Sequence, residues 1–261
     1  MKTKLLNKCS FLLAFLFVIQ GCKKDIPMVS DTIVKNTIVS DTIVNGQRIL
    51  QFSGYTWKVE SSNDLTVGPG PNLFSDSKEN VWFDANGELH LKITQRNNKW
   101  YCAKLTLLSS PGYGKYIFYL DSRIDKLDMN VVGGLFSYKS DLEEIDIEFS
   151  KWGLAGSNNA QFSVQPSLFT SNKKNYNIIL SNLQSTHWFN WQKDRIDFAS
   201  VQGHSSVLPS AGNIIQQWSY SGPNIPPLSV ENTKINLWLY QGNPPSNLQE
   251  AEMVIAGFEF L

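Results

Sequence analysis

The segment Glu143–Phe149 reads EEIDIEF. Glu144, Asp146 and Glu148 alternate there with Ile145 and Ile147. Successive side chains of a β-strand point to opposite faces. The pattern therefore sends two isoleucines into a core and gathers three acids on the other face. No Lys or Arg is interleaved to relieve the repulsion between them, so a plain solvated face explains the cluster poorly.

The flanking sequence has the same texture. GELHLKIT, GKYIFYLDS, GGLFSYK, AQFSVQP, YNIILSN, DRIDFASV, TKINLWLY and EMVIAGFEF are short alternating runs bounded by Gly, Pro, Asn and Ser. No stretch predicts a helix longer than about one turn. Many strands without intervening helices predict an all-β sandwich or barrel.

The chain has 261 residues, 42% of them hydrophobic, and 23 basic residues balance 23 acidic ones. Zero net charge gives no electrostatic case for nucleic acid. The first 21 residues carry Lys2, Lys4 and Lys8 ahead of the apolar FLLAFLFVI. That run is too short to span a bilayer, which takes about 20 apolar residues, and reads as a signal peptide. Gly21 immediately before Cys22 resembles a lipobox. It predicts Cys22 as a lipidated N-terminus that anchors the chain without spanning the membrane. The expected setting is the cell envelope, on the outer membrane of a diderm bacterium. An ordinary secretory signal is the alternative.

Residues 22–50, with VSDTIV at Val29 and again at Val39, read as a tether; their β-branched content leaves a short strand pairing with the domain as the alternative. The domain is expected over 51–261. Cys102 is then the last free cysteine, expected as a small buried hydrophobe with no disulfide partner.

Paired carboxyl groups suit glycoside hydrolysis. A retaining enzyme needs two, about 5–5.5 Å apart, one as nucleophile and one as acid/base. Asp146 fits between two glutamates, where it can hold one by a hydrogen bond. Crowding raises the pKa of the least solvated acid, as a general acid requires.

With these residues in view the chain resembles glycoside hydrolase family 16, and within it the lichenase-like branch. The resemblance rests on the run Tyr113–Phe149, on THWFNWQKDRIDF, on INLWLYQG, and on PNLFSDSKENVW followed by GELHLKIT. It covers Trp57 to Leu261. It implies a jelly roll of two curved antiparallel sheets with a polysaccharide across the concave face. It also implies Glu144 as nucleophile, Asp146 as the orienting acid and Glu148 as acid/base. Tyr113, Phe136, Tyr138, Asn236 and Trp238 fall on its cleft-lining positions. Aromatic planes stack on sugar rings and Asn bonds hydroxyls; core packing is the plainer role for each aromatic. Trp152, in SKWG after the strand, is a substrate platform or a buried plug. His187 and Trp191 read as core or rim residues.

Several positions depart from that branch. Leu142 replaces its tryptophan, Lys104 and Thr106 stand where Glu and Arg are expected, and the partner of its cysteine falls near Asp76. These changes bear on the subsites and leave the acidic strand untouched. Some family members bind a structural calcium ion, but no ligand cluster here marks one. His90 and His204 suggest no metal site, and no cofactor is expected. A monomer acting on a β-glucan or a galactan is the expected form. A glycan-binding lipoprotein without activity, and a transglycosylase, are the alternatives.

Overall fold

The computed structural model describes residues 39–261. The signal peptide, Cys22 and residues 22–38 of the tether lie outside the described residues. The described chain is all β, with four single 3₁₀ turns. Its strands are β1 Ser40–Val44, β2 Gln47–Phe52, β3 Tyr55–Val59, β4 Leu73–Phe74, β5 Val81–Phe83 and β6 Leu89–Arg96. Then follow β7 Lys99–Leu107, β8 Gly114–Asp121, β9 Val131–Ser140, β10 Glu143–Phe149, β11 Ala160–Val164 and β12 Lys173–Tyr176. The last are β13 Gln184–Trp191, β14 Ile196–Gln202, β15 Ile214–Tyr220, β16 Asn232–Leu239 and β17 Ala251–Phe260.

The pairings build two layers of a jelly roll. One runs β1-β2-β3-β7-β16-β9-β10-β11-β12, antiparallel throughout. The other runs β5-β6-β17-β8-β13-β14-β15, also antiparallel. The β6–β7 hairpin joins them, and β4 lies parallel to β7.

Alternation explains the core between the layers. Ile145, Ile147 and Phe149 of β10 are buried on its inner face. Ring contacts cross the gap: Phe149 meets His187 at 4.7 Å, Phe162 meets Phe198 at 5.1 Å, and Trp57 meets Phe258 at 5.2 Å. His187 is wholly buried between the hydroxyls of Ser200 (2.7 Å) and Ser185 (2.9 Å), and burial pushes its pKa down to about 3. It is a neutral core residue. Trp191 is also core, its Nε1 donating to the Pro226 carbonyl at 3.0 Å. Cys102 is buried and free, with its thiol pushed up to about 12 by desolvation.

The expected boundary at residue 51 is corrected. Residues 40–50 are not tether: β1 and β2 form a hairpin on the edge of the first layer. Its turn is Asn45-Gly46, both at positive φ (50° and 75°), the conformation that an Asn-Gly hairpin turn favours. Leu50 and Phe52 enter the core. Arg48, 3% exposed, donates twice to Asp41 at 2.8 Å and to the carbonyls of Asp76 (2.7 Å) and Val81 (2.8 Å). Removing Arg48 strands two carbonyls and leaves the Asp41 carboxylate to Lys78, at 3.4 Å. Arg48→Ala is expected to cost about 3 kcal/mol and to lower the melting temperature by roughly 6–12 °C. A chain begun at Gln51 should lose at least as much. Thermal melts of both proteins check this, and unchanged melting contradicts the role given to the hairpin.

Candidate active site

The register of the first layer sets three polar rows across one face. The first holds Gln161, Glu148, Gly134, Asn236 and Lys104. The second holds Ser163, Asp146, Phe136, Lys234, Thr106 and Lys58. The third holds Glu144, Tyr138 and Asn232. From Glu144 to Phe149 the β9–β10 register is continuous; its one irregularity falls between Glu143 and Glu144. The three acids are therefore neighbours on one unbulged strand face.

Each acid has a different set of partners. Asp146, 3% exposed, accepts from Ser163 Oγ at 3.0 Å and Gln165 Nε2 at 3.1 Å, and it shares a hydrogen bond with Glu144. Gln161 Nε2 donates to Glu148 at 3.2 Å. At the spacing of about 5 Å required of a retaining pair, two carboxylates repel by about 3 kcal/mol in an effective dielectric near 20. That outweighs the 1.4 kcal/mol in one unit of pKa. Desolvation, and then repulsion from Asp146 and Glu148, raise Glu144. Desolvation and Asp146 raise Glu148. Desolvation also lifts Asp146, but its donors hold it to about 6. At neutral pH the trio thus holds protons as well as charge.

The cleft over these rows is lined by the three acids, Asp141, Phe136, Tyr138, Asn236, Trp238, Lys104, Lys234, Gly134 and the Gly68-Pro69 loop. Phe136 and Trp238 are each 8% exposed. Asn236 is 3% exposed, and its Oδ1 has no hydrogen-bond partner. Gly134 makes room for that amide, because a Cβ there would collide with Asn236 Oδ1. Tyr138 donates from its hydroxyl to Asp141 at 3.1 Å.

Two expected cleft residues lie elsewhere. Tyr113 precedes β8, in the other layer. Its ring packs edge-on against Trp191 at 4.8 Å, and its hydroxyl accepts from the Leu228 amide at 3.2 Å. Trp152 is a half-buried plug rather than a platform, packed on Tyr240 at 5.7 Å beyond the Glu148 end of the strand. Leu142 is exposed, at 66%. Ser75 donates its amide to the Cys102 carbonyl at 3.0 Å, so the position near Asp76 does lie beside the cysteine.

Lys234, Asp141 and the row Gln161, Ser163, Gln165 were not expected from the sequence. Alternation in TKINLW places Lys234 beside Asn236, and AQFSVQ carries the donor row in plain view. What the sequence lacks is the knowledge that β11 pairs with β10. Among the described residues no group of His, Cys, Asp and Glu could hold a metal ion.

No family model matches the chain, and no curated protein does. Solved structures do match. A Bacillus licheniformis beta-glucanase has a TM-score of 0.58 at 18% identity, over 84% of this chain and 94% of that one. A beta-1,3-glucanase from Mycobacterium marinum has a TM-score of 0.59 at 18% identity, over 78% and 90%. An immunostimulatory antigen and pseudo beta-1,3-glucanase of Mycobacterium tuberculosis has a TM-score of 0.57 at 17% identity, over 77% and 88%. The chain has the jelly-roll fold of these proteins.

The raised carboxyls have a consequence for stability. The folded protein binds protons more tightly than the unfolded chain does. Its stability therefore falls as pH climbs from the ordinary carboxylate range through the raised values. Glu144→Gln removes one of those charges. Its melting temperature is expected to exceed that of the wild type by a few degrees at pH 8 and to match it near pH 4. Scanning calorimetry at both pH values checks this; equal melting at pH 8 contradicts the charge crowding.

Proposed function

We propose that the protein is a retaining, endo-acting glycoside hydrolase of a β-linked polysaccharide, a β-glucan or galactan. The observation that carries the reading is the acid row: three adjacent carboxyls, one buried and fixed by Ser163 and Gln165, facing a cleft with aromatic walls. A surface used only for packing or solvation has no need to bury such charge, and burying it without pairing is costly.

In the proposed reaction Glu148 gives its proton to the leaving glycosidic oxygen as that C–O bond breaks. Glu144 closes a new C–O bond to the anomeric carbon from the opposite side. Water then attacks that carbon, loses its proton to Glu148 and releases Glu144. Glu144 must be ionised to attack, so the proton it shares with Asp146 must rest on Asp146 at that moment. Phe136 and Trp238 supply apolar faces for sugar rings, and the Asn236 amide a hydrogen-bonding group for a hydroxyl. The double inversion keeps the β configuration.

We place the protein at the cell envelope as a lipoprotein, held by acyl chains on Cys22, on the outer membrane of a diderm bacterium. A membrane-held hydrolase suits polymers too large to cross a bilayer. A glycan-binding protein without turnover is the second reading, favoured by the lysine at position 104 where the resembling enzymes carry an acid.

The deciding experiment incubates the protein with β-glucans, xyloglucan and galactans and follows products by proton NMR. Release from one polymer is expected, with the new reducing end appearing first as the β anomer. Glu144→Gln should reduce release by at least about a thousandfold. Binding without release would favour the second reading, and release first as the α anomer would contradict retention.

A further inference from the structure

The cleft is electrically two-sided. Its acids stand on β10, and its cations stand two and three strands away. Lys234 lies in the Asp146 row on β16, and Lys104 in the Glu148 row on β7. With strands about 4.8 Å apart, their backbones sit roughly 10 and 14 Å from β10. Neither lysine forms an ion pair with these acids, although Lys234 Nζ leans over Tyr138, the cross-strand neighbour of Glu144, and feels that carboxyl.

Neither lysine has a carboxylate within 4.0 Å among the described residues. Lys104 Nζ lies 4.3 Å from the Phe74 ring and reaches the Gly68 carbonyl at 3.5 Å. Lys234 Nζ lies 4.4 Å from the Tyr138 ring. The acid on their side of the cleft, Glu60, is already paired with Lys58 at 2.9 Å. Both lysines are half-buried, and desolvation, with repulsion between them at Lys104, lowers their pKa values. Opposite Lys104 and two residues from Lys234 lies Asn236, a cleft-lining residue almost fully buried, whose unpartnered Oδ1 packs against Gly134. Two half-buried cations without an ion pair of their own, and a buried amide oxygen without a partner, describe a place that is complete only with a ligand present.

We propose that Lys104 and Lys234 form a subsite for an anionic substituent, a carboxylate or a sulfate ester, on the sugar held beside Asn236. This rests on the cleft being a glycan site. The natural substrate is then an acidic polysaccharide, and the lysines select it by charge while the aromatic walls and Asn236 hold the ring.

The test uses the full chain carrying Glu144→Gln, so that binding is read without turnover. The probes are one β-glucan and one galactan, each in three forms: neutral, oxidised at C6 to the carboxylate, and sulfated. Affinity electrophoresis is run at low and high salt. An anionic form is expected to bind at least tenfold more tightly than its neutral parent, and less so at high salt. Whichever form gains names the substituent. Adding Lys104→Gln and Lys234→Gln should abolish the gain without weakening binding of the neutral polymer, while Lys104→Arg and Lys234→Arg should keep it. Equal binding of neutral and anionic forms overturns the proposal, as does a gain that survives both glutamines. Wild-type turnover of neutral polymer with no anionic gain would sink the subsite and leave the hydrolase. A lysine-dependent gain with no turnover by the wild type would do the reverse.

Discussion

Everything at the site depends on how β10 tolerates three carboxyls in a row. Its inner face is held by Ile145, Ile147 and Phe149 in the core, so the strand cannot turn its acids away from one another. A one-residue slip would bury the acids and expose the isoleucines. Relief has to come from the neighbouring strand. β11 and the residue after it present Gln161, Ser163 and Gln165 in step with Glu148 and Asp146, each donating a hydrogen bond. The polar row on β11 is thus as necessary to the site as the acidic row on β10. It also makes the acids unequal, because Asp146 has two protein donors and Glu148 has one.

That inequality is the chemically useful product of the fold. A row of equivalent acids would share charge evenly and specialise none. Here the middle acid, though the most buried, has the most protein hydrogen-bond donors, and the flanking glutamates carry the higher pKa values. The opposite half of the cleft has different chemistry: Lys104, Lys234 and Asn236 on β7 and β16 face the acids across Phe136. A common fold does not settle what such a cleft acts on. The solved structures that match this chain include both a beta-glucanase and a protein described as a pseudo beta-1,3-glucanase.

Much of this was legible in the sequence, and the misses have physical causes. Period-2 alternation located β6, β8, β9, β10, β11, β14, β16 and β17 and put Glu144, Asp146 and Glu148 on one face; β7, β13 and β15 were not among the expected runs, and YNIILSN is extended only as far as Tyr176, where β12 ends. Phe136, Tyr138, Asn236 and Trp238 reach the cleft because they share alternation phase on β9 and β16. Tyr113 does not, because it precedes β8, in the opposite layer, and a motif position does not reveal which layer its neighbours occupy. Trp152 follows the strand end at a positive φ of 53°, which turns it toward Tyr240. The β1–β2 hairpin is marked in the sequence by Asn45-Gly46 between DTIV and QRIL, but its docking on β3 depends on strand pairing that alternation within one strand does not carry. Lys234 and the β11 donors depend on which strands pair, and alternation within one strand carries no such information.

The most direct measurement is a covalent trap. The protein would be treated with 2-fluoro-glucosyl and 2-fluoro-galactosyl oligosaccharide fluorides, which slow release of the enzyme-bound sugar, then digested and analysed by mass spectrometry. Double displacement predicts one glycosyl adduct, on Glu144, lost when Glu144 is changed to Gln. An adduct on Glu148, or none with either sugar series, would contradict the assignment of the acid row as a nucleophile and its acid/base partner.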